Sequence, residues 1–164
     1  MRFSAISFRR LTLLVATGLV LFSVAAAQAE ELTFQMSPIG HVSKQGVSTQ
    51  IVLDEKFQDG LLGLEDFSHV WVIWWFDQND SPEQRAILQV HPRGDARNPI
   101  SGVFATRAPV RPNLIGLTLC RIVSVHKGKI EIDSIDAFDG TPVVDLKPYI
   151  PSESVSDAMR PQRY

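Results

Sequence analysis

The sequence predicts a mostly β fold, a single small domain closed or nearly closed on itself, and three observations carry that reading. About seven short apolar or alternating runs follow one another at close spacing, the pattern of barrels and other all-β folds. Glycine and proline, ten of each in 164 residues, punctuate the gaps between those runs. Helical periodicity is nearly absent: Ser81-Pro82-Glu83-Gln84 reads as a helix start, with Ser81 as cap and Pro82 in the first position, but only a turn or two follows.

The chain opens with Arg2, Arg9 and Arg10, then an uncharged apolar run from Leu11 to Val24, then Ala27-Gln28-Ala29 before Glu30. That order of basic start, apolar stretch and small residues is the pattern of a signal peptide, and the run is short for a membrane span. Thr12 stands where a twin-arginine signal prefers an apolar residue. The expected organisation is therefore a signal peptide over 1–29, a β domain over 30–151 and a tail over 152–164, with the mature protein periplasmic or secreted. A start at Met36 would instead make it cytoplasmic, but would cut through the alternating residues Leu32, Phe34 and Met36, which read as a half-buried strand.

Past Pro38 a strand resumes over Ile39 to Val42, and Gln50 to Leu53 is the next. Phe67 to Phe76, rich in Val, Ile and Trp, reads as a buried strand. Its three indoles, Trp71, Trp74 and Trp75, cannot share one face; Trp74 opposes its neighbours and leaves an indole for a dimer interface or a ligand stack. Ala86 to Val90, Leu114 to Val125, Lys129 to Ile135 and Val143 to Leu146 complete the strands, with His126-Lys127-Gly128 as a hairpin turn.

Charge narrows the function. Three of the 16 basic residues and none of the 18 acidic ones lie in the first 29 positions, which leaves 13 against 18, a net charge of −5 for the remainder. Such a domain lacks the broad positive field of a general nucleic-acid binder, so any RNA contact is local. Arg93, Arg97, Arg107, Arg111 and Arg121 fall in one window and either form a patch or lie on different faces. Cys120 is the single cysteine, set in an alternating strand, and reads as a buried, inert thiol. His41, His69, His91 and His126 are too scattered for a metal site, and His69 reads as a core residue bonded to backbone.

Two punctuated connections hold the chemistry. In Gly102-Val103-Phe104-Ala105-Thr106-Arg107-Ala108-Pro109-Val110-Arg111-Pro112-Asn113-Leu114-Ile115-Gly116-Leu117, the prolines forbid helix or a continuous central strand, so Phe104 to Ile115 is a rigid loop carrying Arg107 and Arg111 toward one ligand. In Asp139-Gly140-Thr141-Pro142-Val143-Val144-Asp145-Leu146-Lys147-Pro148-Tyr149, Asp-Gly opens a turn that offers a free carboxylate and free amides, groups suited to a ribose hydroxyl or an adenine edge.

These two blocks, with Pro38-Ile39-Gly40 and Gly63-Leu64-Glu65-Asp66-Phe67-Ser68-His69-Val70-Trp71-Val72 upstream and in the same order, resemble the TsaA-like family, whose characterised members are the TrmO tRNA methyltransferases. The resemblance runs from about Leu32 to Pro151. It implies a small β-barrel, S-adenosyl-L-methionine as methyl donor bound at a homodimer interface, and N6 of threonylcarbamoyladenosine at position 37 of tRNA as acceptor. The donor-contacting positions it implies are Asp77, Gln78, Arg107, Leu117, Asp139, Gly140, Thr141 and Pro142. For the acceptor, Arg111 is a candidate cation for the threonyl carboxylate, Asn113 an orienting group, and Lys147 and Tyr149 holders of phosphate or base; each is equally suited to a local structural bond.

The chain departs from the family pattern in three places. Asp77 replaces a histidine, Leu114 replaces a proline, and no Pro-Arg-Gln triplet follows the Ile39-Gly40 strand. The competing reading is an exported β-barrel of the same type that binds a nucleoside-like or other small ligand without turnover.

Overall fold

The structure, a computed structural model, describes residues 32–153 and 158–159. The signal peptide expected over 1–29 and most of the expected tail lie outside the described residues. Everything below concerns the compact unit that begins at Gln35.

Among the described residues, six strands close an antiparallel barrel: β1 (Gly40–Gln45), β2 (Ser48–Leu53), β3 (His69–Trp75), β6 (Ile115–His126), β7 (Lys129–Ile132) and β8 (Pro142–Pro148). Around the barrel the order is β1-β2-β7-β6-β3-β8, and β8 returns to β1 through Gly40↔Val143 and His41↔Pro142. A separate two-stranded ribbon, β4 (Gln89–Val90) with β5 (Ser101–Gly102), stands between β3 and β6 in the chain. The one α-helical turn among the described residues, α1 (Pro82–Arg85), has the cap the sequence predicts: the Ser81 hydroxyl accepts from the Gln84 amide at 3.3 Å.

A six-stranded barrel leaves room inside only for side chains, so alternation decides what fills it. Val70, Val72 and Trp74 point inward from β3, and Val42, Ile51, Cys120, Ile130 and Val143 meet them from the other strands, all fully buried but Trp74, which is 6 % exposed. On β6 the register slips between Ile122 and Ser124, a bulge that changes the inward set from Cys120 and Ile122 to Val125. The β6–β7 hairpin turns at Lys127 and Gly128, with φ of 48° and 74°, the left-handed pair of a type I′ turn.

Three predicted strands are lost or cut back by three residues or more in the structure. Residues 32–38 carry no regular strand: the ladder on β8 ends where the Ile39 amide donates to the Val143 carbonyl, and Pro38 beyond it has no donor to continue. Ala86 and Ile87 close the α1 turn through amides bonded to Pro82 and Gln84, so β4 is two residues rather than five. The strand from Lys129 stops at Ile132 because the Asp133 carboxylate turns back to accept from the Arg121 and Ser134 amides.

Candidate functional site

A cleft of about 610 Å³ opens at the end of the barrel where β3 finishes, β6 starts and β8 starts. That volume lies within the usual range for small-molecule sites. Trp74 and Phe76 form its apolar base, with ring centroids 4.4 Å apart, and the Trp74 indole N–H donates to the Thr118 hydroxyl at 3.1 Å. The indole lies directly over Gly116, where even a methyl group would fall 2.4 Å from the ring.

One wall is the loop between β5 and β6, and its shape is set by Arg111. The Arg111 guanidinium donates to the carbonyls of Ala108 at 3.0 Å and of Val103 and Thr106, each at 2.9 Å. The loop thus wraps around its own cation. Arg107 lies on the same wall with its side chain exposed; among the described residues it has no hydrogen-bond or ion-pair partner. The loop ends at Leu114, fully buried at φ 52°, whose carbonyl accepts from the Phe76 amide at 2.8 Å.

The facing wall is the short segment after β3, with Asp77, Gln78 and Asn79. Arg85 joins the two walls: it donates to the Asp80 carboxylate at 2.7 Å and to the Pro112 carbonyl at 2.8 Å, and lies on the Trp75 ring. The bond from Arg85 holds the Asp80 carboxyl below its ordinary range. The third wall is the connection from β7 to β8, with Asp136, Ala137, Phe138 and Thr141.

Five of the positions predicted to meet the donor therefore line one cleft, namely Asp77, Gln78, Arg107, Leu117 and Thr141. Asp139, Gly140 and Pro142 flank Thr141 without lining it. The groups predicted to be free in that turn are engaged: the Asp139 carboxylate accepts from the Lys44 amide at 2.7 Å, the Gly140 amide donates to Val42, and the Thr141 amide to Phe138. Pro142 is the first residue of β8, where its missing donor costs no ladder bond.

Of the acceptor candidates, Arg111 lines the cleft but holds the loop, and Asn113 is exposed outside it. Lys147 lies toward the far end of β8 and Tyr149 just past it, about 20 Å and about 26 Å from Thr141 at the usual rise per strand residue. Lys147 pairs there with Asp145 at 3.2 Å, and Tyr149 packs edge-on against His69 and Trp71. His69 meets the Ser68 hydroxyl at 2.9 Å rather than core backbone. The five arginines do not form one patch: Arg97 pairs with Asp95, and Arg121 stands opposite His69 on the barrel wall. Cys120 is fully buried, and desolvation, with Asp133 adding to it, pushes its thiol up to about 12. Among the described residues no three His, Cys, Asp or Glu side chains are placed to hold a metal ion. Lys44, Phe76, Asn79, Asp136 and Phe138 also line the cleft and have no role in the sequence reading; the signal the sequence carries for them is an aromatic residue, Phe138, directly before the Asp139-Gly140 turn.

The model of the tRNA-methyltransferase O N-terminal domain matches residues 31–154. The chain belongs to this TrmO family. A probable S-adenosyl-L-methionine-binding protein of Methanocaldococcus jannaschii is 46 % identical over 114 residues, covering 70 % of this chain and 90 % of that protein. The tRNA (adenine(37)-N6)-methyltransferase of Homo sapiens is 43 % identical over 105 residues, but this chain spans only 23 % of its length. The crystal structure of TrmO from P. aeruginosa superposes with a TM-score of 0.64 at 31 % identity, covering 82 % of this chain and 63 % of that one. The six-stranded barrel is thus a TrmO-type barrel.

Proposed function

We propose that the cleft binds S-adenosyl-L-methionine and that the protein is a methyltransferase acting on N6 of a modified adenosine at position 37 of tRNA. One observation carries the reading. Asp77, Gln78, Arg107, Leu117 and Thr141 come from four separate chain segments, yet they converge on one cleft of nucleoside size. The names of the relatives favour a transferase over a non-catalytic binding module.

The chemistry asks little beyond placement. The N6 nitrogen attacks the sulfonium methyl carbon in line, the carbon–sulfur bond breaks with its electron pair going to sulfur, and N6 loses its proton. Holding the two reactants in that alignment supplies much of the acceleration. Trp74 and Phe76 offer an apolar base for the donor; among the described residues Arg107 is an unpaired cation for the carboxylate of donor or acceptor, and Asp77 and Asp136 are unpaired carboxylates able to accept a proton or a hydrogen bond from a hydroxyl.

A homodimer belongs to the same proposal; an exported mature form goes instead with the competing reading, a barrel that binds a small ligand without turnover. Leu117, half exposed, lies both on the cleft and on the outer barrel face, where it pairs with Ile73 and the neighbouring outward pair is Leu119 with Trp71. A second copy covering that face would close the cleft. Export conflicts with a tRNA acceptor, so the N-terminus and cell fraction of the native protein separate the two: Glu30 outside the cytoplasm removes tRNA as acceptor. Calorimetry with S-adenosyl-L-methionine tests the donor, and absence of binding rejects the enzyme. Hydrolysed tRNA from a deletion strain, lacking the N6-methylated nucleoside, supports tRNA as acceptor.

A further inference from the structure

We propose that Lys44 is a positioning residue that holds the β7–β8 wall of the cleft in place, an inference that rests on the donor-binding reading above. β7 ends at Ile132 and β8 begins at Pro142, so the stretch between them has no ladder of its own. Its two ends are tied by main-chain bonds: Asp133 to Arg121, and Gly140 and Thr141 to Val42 of β1. The middle is tied by Lys44. Its backbone amide donates to the Asp139 carboxylate at 2.7 Å, and its ammonium donates to the Ile135 carbonyl at 3.1 Å. Those two anchors bracket Asp136, Ala137 and Phe138, which all line the cleft, and Ile135 and Ala137 are buried while Phe138 faces outward.

β1 runs through Lys44 straight into the two-residue turn Gly46-Val47 and β2, and Lys44 itself lines the cleft. Both of its bonds cross more than 90 positions of sequence to the same five-residue stretch, so Lys44 sets the wall rather than its own strand.

Lys44→Met keeps the aliphatic stem and the backbone amide but removes the ammonium, and Lys44→Arg restores a donor. In the ligand-free protein, amide hydrogen exchange across 135–141 should quicken roughly threefold to tenfold in the methionine variant, the worth of one hydrogen bond, and return with arginine. Calorimetric affinities for S-adenosyl-L-methionine and for 5′-methylthioadenosine, which lacks the amino-acid part, should weaken by the same factor. Unchanged exchange overturns the proposal. Loss confined to S-adenosyl-L-methionine also overturns it, since that makes Lys44 a direct carboxylate contact. If the unaltered protein binds neither compound, the donor reading fails, and exchange alone judges Lys44.

Discussion

Replacing Gly116 with alanine should damage the base of the cleft and the fold together, because the added methyl group has nowhere to go. The methyl carbon would sit 2.4, 2.5 and 2.7 Å from Cε2, Cδ2 and Cζ2 of Trp74, whereas carbon atoms in contact prefer about 3.5–4.0 Å. The indole must therefore retreat by about 1 Å. It is 6 % exposed, packed against Phe76 with the rings tilted by 59° and bonded to Thr118 at 3.1 Å, so a retreat of that size breaks the hydrogen bond and strains the ring contact. Overpacking costs about 1–3 kcal/mol and the lost bond about 0.5–1.5, which together give about 1.5–4.5 kcal/mol. In urea, with an m-value of about 2 kcal/mol/M, the midpoint should fall by about 1–2 M. Donor affinity should fall with it. Trp74→Phe in the same chain leaves a smaller ring over position 116, so the double variant should cost less than the sum of the two single changes. A Gly116→Ala midpoint within about 0.2 M of the parent, or strict additivity in the double variant, would refute the reasoning.

Leu114→Pro, the residue the family pattern carries, should lower the thermal midpoint by about 10 °C or more, since proline cannot adopt a φ of 52° and a buried leucine is lost as well. Arg85→Lys keeps the charge but cannot span Asp80 and Pro112 while lying on Trp75, and calorimetry should show donor affinity weakened roughly threefold to tenfold. Asp80 has a depressed folded pKa, so its link to Arg85 is intact above the ordinary carboxylate range and is lost only as pH falls through the depressed value; donor binding measured from pH 8 to 5 should not report its loss. Cys120, with its thiol raised to about 12, should resist thiol reagents at pH 8 until the protein unfolds. Its contribution to stability is complete below its ordinary value of 9.0 and is lost as pH rises from there toward about 12, which urea midpoints across that range would follow.

The barrel strands were legible because each one is half core. β3 alternates Val70, Val72 and Trp74 inward against His69, Trp71, Ile73 and Trp75 outward, so a period of two and a β-branched bias point to the same answer. The errors lie where no barrel neighbour exists. Leu32, Phe34 and Met36 alternate as well as any strand, but alternation is worth nothing without a ladder partner, and β8 offers none beyond Ile39. The 3₁₀ turns over Glu55–Leu61 went unread for the opposite reason: they are short and bury Leu61 alone, too little to leave a period in the sequence.

At the site, the loop with two arginines was legible as a site but not as a division of labour. Arg107 and Arg111 look alike in sequence, four positions apart between prolines, and both face the cleft. The carbonyls of Val103, Thr106 and Ala108 make the difference, since a loop that proline excludes from any ladder must satisfy its acceptors elsewhere, and only a forked, always-charged guanidinium can reach three at once. Arg111 is therefore the internal support of the loop that presents Arg107. Arg111→Ala should cost stability and donor affinity together, whereas Arg107→Ala should leave the urea midpoint within about 0.2 M of the parent and weaken ligand binding alone. An Arg111→Ala protein of unaltered stability and donor affinity, slowed only toward the acceptor, would return Arg111 to direct substrate contact and make the three carbonyl bonds incidental.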